Sequence, residues 1–282
     1  MSKSEHSETF LQMPQIHAEW EDDYLNPAMD ALYDDAIALI AKHLSMPPGT
    51  RLLDAGCGYA YHALRLAAHG FDVTGVDFSD VALEHARQRI AASKGMSVSV
   101  QKANLLELPF PDSAFPVVFS WGVLMHVPEL DKSLSELSRV VEPGGYLVLS
   151  ENSCESFDVK VVEPLIRAAK AILGRRRNTR NWSERGVEEW FPSDGQTDDG
   201  AGLLVRKSNF AYFDRFLEKR GFHRAAAFSE QWTELYTRVP TQWGKRLVYT
   251  LNHRIMMRDR LSPFALGNIL IYRKAPSAAA GT

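Results

Sequence analysis

Residues 52–60 read LLDAGCGYA, an apolar run closed by a bend with glycine at 56 and 58. Glycine adopts backbone conformations that side chains resist, so this pair makes a tight turn that a ligand can approach without meeting a Cβ. Outward from the bend, the chain alternates. Residues 51–55 predict a short strand, 59–69 a helix stopped by Gly70, and 71–77 a second strand ending at Asp77. Ser79 stands where a helix to about residue 93 needs its N-cap. Residues 97–103 and 116–121 read as further strands, the latter almost wholly apolar, as a strand buried on both faces must be. A helix at 130–141, the turn Glu142-Pro143-Gly144-Gly145 and a fifth strand at 146–151 follow. Upstream, Met29, Leu32, Ile37, Ile40 and Leu44 share helical spacing within 25–44.

Strands and helices at such short intervals require a mostly parallel sheet with right-handed crossovers, the doubly wound α/β layout. After residue 151 the rhythm breaks. Residues 156–207 begin helically and become rich in Gly, Asp, Trp and Arg. The alternation resumes with a helix at 209–220 and a strand at 222–228, pauses at a helical stretch at 241–260, and ends with a strand at 268–273. The organisation expected is therefore 1–155, then a lid insertion at 156–207, then 208–282 carrying a second helical insertion at 241–260. Both insertions are expected as helical lids over the carboxyl edge of the sheet.

The whole chain supports this class and excludes others. Of 282 residues, 45% are apolar and 24% charged, enough to build a sizeable core. Lys plus Arg total 32 against 35 Asp plus Glu, so no global basic field draws the chain to DNA or RNA. Cys57 and Cys154 are the two cysteines, too few for a disulfide framework or a four-thiolate zinc site, and no metal is expected. No run approaches the ~18 apolar residues of a membrane span, and residues 1–17 lack a secretory apolar region. A cytoplasmic, reduced protein is the expectation, with nothing in the sequence to set an oligomeric state. Charge is uneven: residues 1–36 hold nine acids and one lysine, whereas 160–182 hold seven bases and one acid. The basic stretch reads as a solvated face, a dock for an anionic group, or membrane-surface attachment through Val159, Val162, Ile166, Ala169 and Leu173.

In open α/β sheets a ligand sits beyond the carboxyl ends of the strands where strand order reverses. Asp77, about 20 residues past the bend, is placed to accept both hydroxyls of a ribose. A nicotinamide dinucleotide and S-adenosyl-L-methionine both suit this arrangement. The dinucleotide fingerprint wants a third glycine three residues after the second, but Tyr61 stands there. S-adenosylmethionine has no pyrophosphate, so that constraint does not apply to it.

Five segments, LLDAGCGYA (52–60), VTGVDFS (73–79), ANLLELPFPDSAF (103–115), FSWGVLMHV (119–127) and VVEPGGYLVLSE (140–151), resemble in order and spacing the motifs of class I S-adenosylmethionine-dependent methyltransferases. Residues 208–230 and 264–274 are similar to the family's sixth and seventh strands. The resemblance implies a seven-stranded Rossmann-like sheet and S-adenosyl-L-methionine as cofactor. It implies that Asp54, Gly56 and Gly58, with Cys57 in the same loop, surround the methionine moiety, that Asp77 binds the ribose, and that Phe78 lies against the adenine. Asn104 stands where the family often has an acid, and its amide oxygen can still accept from the adenine amino group, with Leu105 adding a backbone contact. Trp121 is placed to line the pocket. Ala60 replaces a frequent third glycine, and Pro116 an acid common at the start of the fourth strand. An N-terminal segment folds over the cofactor in this family, which assigns Tyr24 to the cofactor and Trp20 to the acceptor, their aromatic faces suiting a sulfonium.

Methyl transfer from a sulfonium chiefly needs an aligned nucleophile, and an oxygen or nitrogen acceptor also needs somewhere to send its proton. His126, just past the fourth strand, is the preferred base, with Glu151 at the end of the neighbouring strand to orient or assist it. His62 reads as structural. Trp182, Trp190, Phe191 and Arg206, with Trp232 and Tyr236, are candidate lining groups for the acceptor, Arg206 or the arginine cluster meeting an anionic handle. The expected activity is methylation of a small organic acceptor such as a secondary metabolite or a sugar. Methylation of RNA held by residues 175–180, and a non-catalytic cofactor-binding subunit, are the alternatives. The acidic N-terminus weighs against the first and the intact motifs against the second.

Overall fold

The computed structural model describes residues 27–173, 180–192 and 202–277. Helix α1 (Pro27–Leu44) leads into β1 (Arg51–Ala55), α2 (Tyr61–Ala68), β2 (Asp72–Asp77), α3 (Asp80–Ala92) and β3 (Val98–Lys102). Then follow β4 (Phe115–Trp121), a 3₁₀ turn (Leu124–His126), α4 (Leu130–Val140) and β5 (Val141–Asn152). Ser79 does cap α3, accepting from the amide of Ala82 at 3.2 Å. The sheet is completed by β9 (Phe222–Gln231), which follows a helix at Phe210–Glu218, and by β10 (Gly267–Lys274).

The seven strands lie in the order β3-β2-β1-β4-β5-β10-β9, with β10 antiparallel to both neighbours and the first five parallel. Strand order reverses between β1 and β4, so the carboxyl ends of these two strands open the crevice where a ligand settles. Side chains alternate across the sheet because a strand's period is two. Leu52, Val117, Phe119, Val148, Ile269 and Ile271 face a layer containing α1 and α2. Leu53, Val118, Leu147, Leu149, Leu270 and Tyr272 face the opposite layer, where Leu134 and Leu137 of α4 pack.

The first insertion departs from the helical expectation. A single π-turn (Asp158–Val162) and helix α5 (Glu163–Ile172) are followed by an antiparallel sheet of β6 (Arg180–Ser183), β7 (Gly186–Pro192) and β8 (Gly202–Ser208) in that order. Alternation explains it: Leu204 and Arg206 of β8 are buried while Val205 and Lys207 turn the other way. The sheet is tied to the core where the Cys154 amide donates to the Ser208 carbonyl at 3.0 Å. Of the stripe expected on the preceding helix only Val159 is buried; Leu173 is exposed, and Glu163 and Arg167 instead turn inward to pair with Arg180 and Glu189.

The helix after β8 is α6 (Phe210–Glu218), and that of the second insertion is α7 (Gln242–Met256). Helix α7 is not a lid. It packs on β9 and α1, with His253 Nε2 2.7 Å from Asp35 and the Tyr249 ring 4.8 Å from Tyr236. Its Asn252 is fully buried and accepts from the amides of Trp232 and Thr233, which explains why a polar residue stands in the middle of the helix.

Candidate active site

The glycine bend is built by the backbone. The amides of Gly56 and Cys57 both donate to the Val76 carbonyl, and Gly56, Gly58 and Ala60 all have positive φ, 85°, 50° and 61°. Ala60 therefore holds a conformation that costs a side-chain-bearing residue energy, which accounts for glycine being frequent there in the resembling family. A Cβ on Gly56 would collide with Val123, while one on Gly58 would meet nothing, so Gly58 is the open point of the bend. Asp77 completes it: one carboxylate oxygen accepts from the Gly58 amide and the other from the Ser79 amide, each at 2.9 Å. A carboxylate has about four acceptor positions, so these two amides alone do not saturate it.

A cleft of ≈ 470 Å³ opens above this bend. One end is lined by Asp77, Phe78, Asn104 and Leu105, and the middle by Gly56, Gly58 and Trp121. Asn104 Oδ1 accepts from the Leu106 amide at 2.9 Å, which fixes its side chain at the rim. His62 stacks on Trp121 at 4.4 Å with the Tyr33 ring edge-on at 5.0 Å, and burial lowers its pKa to about 3. This aromatic wall is neutral at physiological pH.

The other end of the cleft holds the groups suited to proton chemistry. His126 lies in the 3₁₀ turn after β4, its Nδ1 2.7 Å from the Leu204 carbonyl oxygen of β8. Desolvation lowers its pKa to about 4 despite that bond. It does not cap the next helix, whose N-cap is Glu129. Glu151, at the end of β5 and 2% exposed, accepts from the Leu124 amide at 2.9 Å through Oε1, so it braces the turn that carries His126. Its Oε2 is buried with no hydrogen-bond partner, and burial pushes the carboxyl up to about 8. Glu230, Gln231 and Glu234 at the end of β9, and Leu203, Val205 and Lys207 of β8, finish this end. These six were not singled out from sequence. The β8 residues alternate at period two, a signal masked by the surrounding Gly and Asp; Glu230 lies two residues beyond where the strand was expected to stop.

Several expected site residues sit elsewhere. Arg206 is fully buried and spends all five N–H donors on Glu188 and the carbonyls of Leu124, Val127 and Pro128, so it clamps the His126 turn and has none left for an anionic handle. Trp182 is 58% exposed on the outer strand β6, beside Lys160 and Arg180, because β7 and β8 intervene between it and the cleft. Trp190 lies on the middle strand opposite Leu204 and is not among the cleft's lining residues. Nor does Trp232 or Tyr236 line it: Trp232 stacks on Phe157, and Tyr236 is core. The Cys57 side chain points back at Gly75 of β2, where a Cβ would come within 2.8 Å of its sulfur, so it fills the turn rather than the cleft. Asp54 lies behind the bend, 2% exposed. Trp20, Tyr24 and Arg175 to Arg177 fall outside the described residues.

The donor set fits S-adenosylmethionine better than a dinucleotide. Asp54 Oδ2 is buried without a partner, and burial together with Asp77 raises its carboxyl to about 8. Asp54 is not among the cleft's lining residues, whereas Tyr61, standing where a dinucleotide site takes its third glycine, is, which disfavours a pyrophosphate there. Asp77, Phe78 and Asn104, the residues expected at the adenosine, and the bend expected at the methionine part all line the one cleft. Among the described residues no cluster of His, Cys, Asp or Glu suits a metal ion, and no helix is long and apolar enough to cross a membrane.

Comparison with known proteins agrees. A methyltransferase domain model matches residues 53–149. A 27-O-demethylrifamycin SV methyltransferase of Amycolatopsis mediterranei is 35% identical over 139 residues, 48% of this chain and 50% of that one. A demethylmenaquinone methyltransferase of Listeria monocytogenes is 34% identical over 196 residues, 66% of this chain and 80% of that one. The chain spans about half the length of most curated relatives it matches. A solved S-adenosylmethionine-dependent methyltransferase from Methanosarcina mazei superposes with a TM-score of 0.57 at 20% identity, over 85% of this chain and 98% of that one, a likeness of fold. On the order of its motifs, its seven-stranded sheet and its match across most of a curated relative, the chain belongs to the class I S-adenosylmethionine-dependent methyltransferases.

Proposed function

We propose that this protein moves the methyl group of S-adenosylmethionine to an oxygen or nitrogen of a small organic acceptor held between the His126 turn and strand β8. One observation carries the reading: a single cleft joins the adenosine-suited end at Asp77 and Asn104 to the proton-handling end at His126 and Glu151. The bound donor supplies a methyl carbon already activated on a positive sulfur. The chain's own task is then to orient the acceptor, exclude water and take up a proton.

His126 suits that task. Its Nδ1 faces a carbonyl, which can only accept, so the ring proton sits on Nδ1 and Nε2 is the nitrogen with the lone pair that can accept. Glu151 and Arg206 hold the turn from opposite sides, through the amide and the carbonyl of the same residue, Leu124. The 156–207 segment acts as the wall of the acceptor site through β8, and 208–282 completes the sheet. The relatives named above methylate small molecules by their names, in line with a small acceptor. A polyanion such as RNA suits the cleft poorly, since Lys207 is the one lysine or arginine on its described lining, against Asp77, Glu151, Glu230 and Glu234. We place the protein in the cytoplasm, in keeping with two free, buried cysteines.

The test is to incubate the protein with methyl-labelled S-adenosylmethionine and a small-molecule extract, beside the His126→Ala variant. Labelled small-molecule product from the wild type and a strong loss in the variant are expected. Label in RNA, or equal turnover by the variant, rejects the acceptor class or the role of His126.

A further inference from the structure

Resting on the reading above, the geometry points to the chemical class of the acceptor: we propose that its nucleophile is an amine, received as an ammonium ion between Glu151 and Glu230. Three carboxylate side chains, Glu151, Glu230 and Glu234, line the acceptor end of the cleft, with Lys207 on the facing strand. Two are deeply buried, Glu151 at 2% and Glu230 at 6% exposure. Burying a carboxylate is costly unless it is paired, and among the described residues none forms an ion pair with either, the charge of Arg206 reaching Glu151 only at longer range. Arg206, the nearest guanidinium by strand, is spent on Glu188 and three carbonyls. Glu151 lines the cleft, and its Oε2 is left buried and unpartnered.

The pair is built rather than incidental. Glu230 Oε2 accepts from Ser150 Oγ at 2.8 Å, which fixes Glu230 beside the strand that carries Glu151. Gly267 of β10 leaves the space Glu230 needs, since a Cβ there would lie 3.2 Å from its Oε1. Asp158 of the insertion accepts from the Glu234 amide at 2.8 Å and from Thr233 Oγ1 at 2.6 Å, holding the third carboxylate at the rim. Burial is the main cause that pushes these carboxyls up, Glu151 to about 8 with a smaller push from Glu230, and Glu230 to about 7 with a smaller push from Glu234, which suits groups that must accept a proton near neutrality. An ammonium can displace the protons these carboxyls largely hold near neutrality and pair with the carboxylates formed, whereas a hydroxyl brings no charge to do so and a carboxylate or phosphate handle would oppose it.

The chemistry balances with no further reactant. The ammonium gives one proton to a Glu151 or Glu230 carboxylate, breaking N–H and forming O–H, and the freed nitrogen lone pair is turned toward the methyl carbon. His126 Nε2 accepts a hydrogen bond from a remaining N–H and sets that direction. A nitrogen–carbon bond forms as the methyl–sulfur bond breaks, its electron pair staying on sulfur, and the product leaves as an N-methylammonium. The carboxyl returns its proton to water.

Three probes of one shape and different charge test this: benzylamine, benzyl alcohol and benzoate, titrated calorimetrically at neutral pH into protein saturated with S-adenosylhomocysteine. Benzylamine is expected to bind at least tenfold tighter than either analogue. The preference is expected to fall tenfold or more in Glu151→Gln and in Glu230→Gln, with the affinity for S-adenosylhomocysteine and the melting temperature retained. Gln keeps the acceptor that Leu124 and Ser150 need, and if one variant does not fold the other decides. Equal or reversed ranking, no benzylamine binding, or a preference that survives both substitutions overturns the inference. Failure of S-adenosylhomocysteine itself to bind overturns the cofactor reading instead.

Discussion

The Nδ1 atom of His126 lies 2.7 Å from the carbonyl oxygen of Leu204, so a strand from the insertion fixes the tautomer of a side chain from the core. Neither partner is positioned by sequence neighbours; 78 residues separate them.

Removing the imidazole isolates its role. His126→Gln is expected to lower kcat by about 10², the usual worth of a group that aligns the nucleophile, with the affinity for S-adenosylhomocysteine unchanged. Because burial holds the His126 pKa down at about 4, the group stays neutral from pH 6 upward, and the rate–pH profile should show no rise centred near the ordinary histidine value. A rise centred there that disappears in the variant contradicts this assignment.

Arg206 should matter for stability rather than for acceptor charge. Arg206→Ala strands Glu188 and three carbonyls, an expected loss of about 3–5 kcal/mol measured by denaturant unfolding. Trp182→Ala, on the exposed face of β6, is expected to stay within about 0.5 kcal/mol.

The bend depends on Gly75, across from Asp54 in β1. Gly75→Ala places a Cβ 2.8 Å from the sulfur and 2.9 Å from the Cβ of Cys57, an overpacking expected to cost about 1–3 kcal/mol and to weaken cofactor binding. Cys57→Ala in that background should restore only part of both, because the second contact remains. Paired melting and calorimetric titrations of the single and double variants check it.

Stability of the ligand-free protein should fall as pH rises from about 6.5 to 8. Asp54, Glu151 and Glu230 are raised to about 8, 8 and 7, so the folded state holds protons the unfolded chain has released, and stability is lost through that window. His62 and His126, lowered to about 3 and 4, act oppositely: the unfolded chain binds their protons below about 6.5, so their effect is confined to acid. Melting temperatures across pH 5–8.5 decide it; a rise between 6.5 and 8 contradicts the buried carboxyls.

The sheet and the cofactor end were legible because their signals are local. Each strand from β1 to β5 carries its own apolar run and turn residues, and Gly56, Gly58 and Asp77 lie within one βαβ unit. The acceptor end was less so, because it is assembled from β5, β8 and β9, whose pairing is non-local. His126 and Glu151 were found from their place at strand ends. Glu230 was missed because nothing in residues 222–231 alone indicates that Ser150 meets it. Arg206 was misread for a related reason: an arginine among polar residues looks solvent-facing until its partners, up to 82 positions away, come together.

Titration of S-adenosylhomocysteine and of NAD into the purified protein, with Asp77→Asn alongside, tests the central claim most directly. One site for S-adenosylhomocysteine, affinity weakened about tenfold or more in the variant (~1.4 kcal/mol), and no heat for NAD are the predicted results. Heat for NAD with none for S-adenosylhomocysteine would contradict the assignment of the cleft.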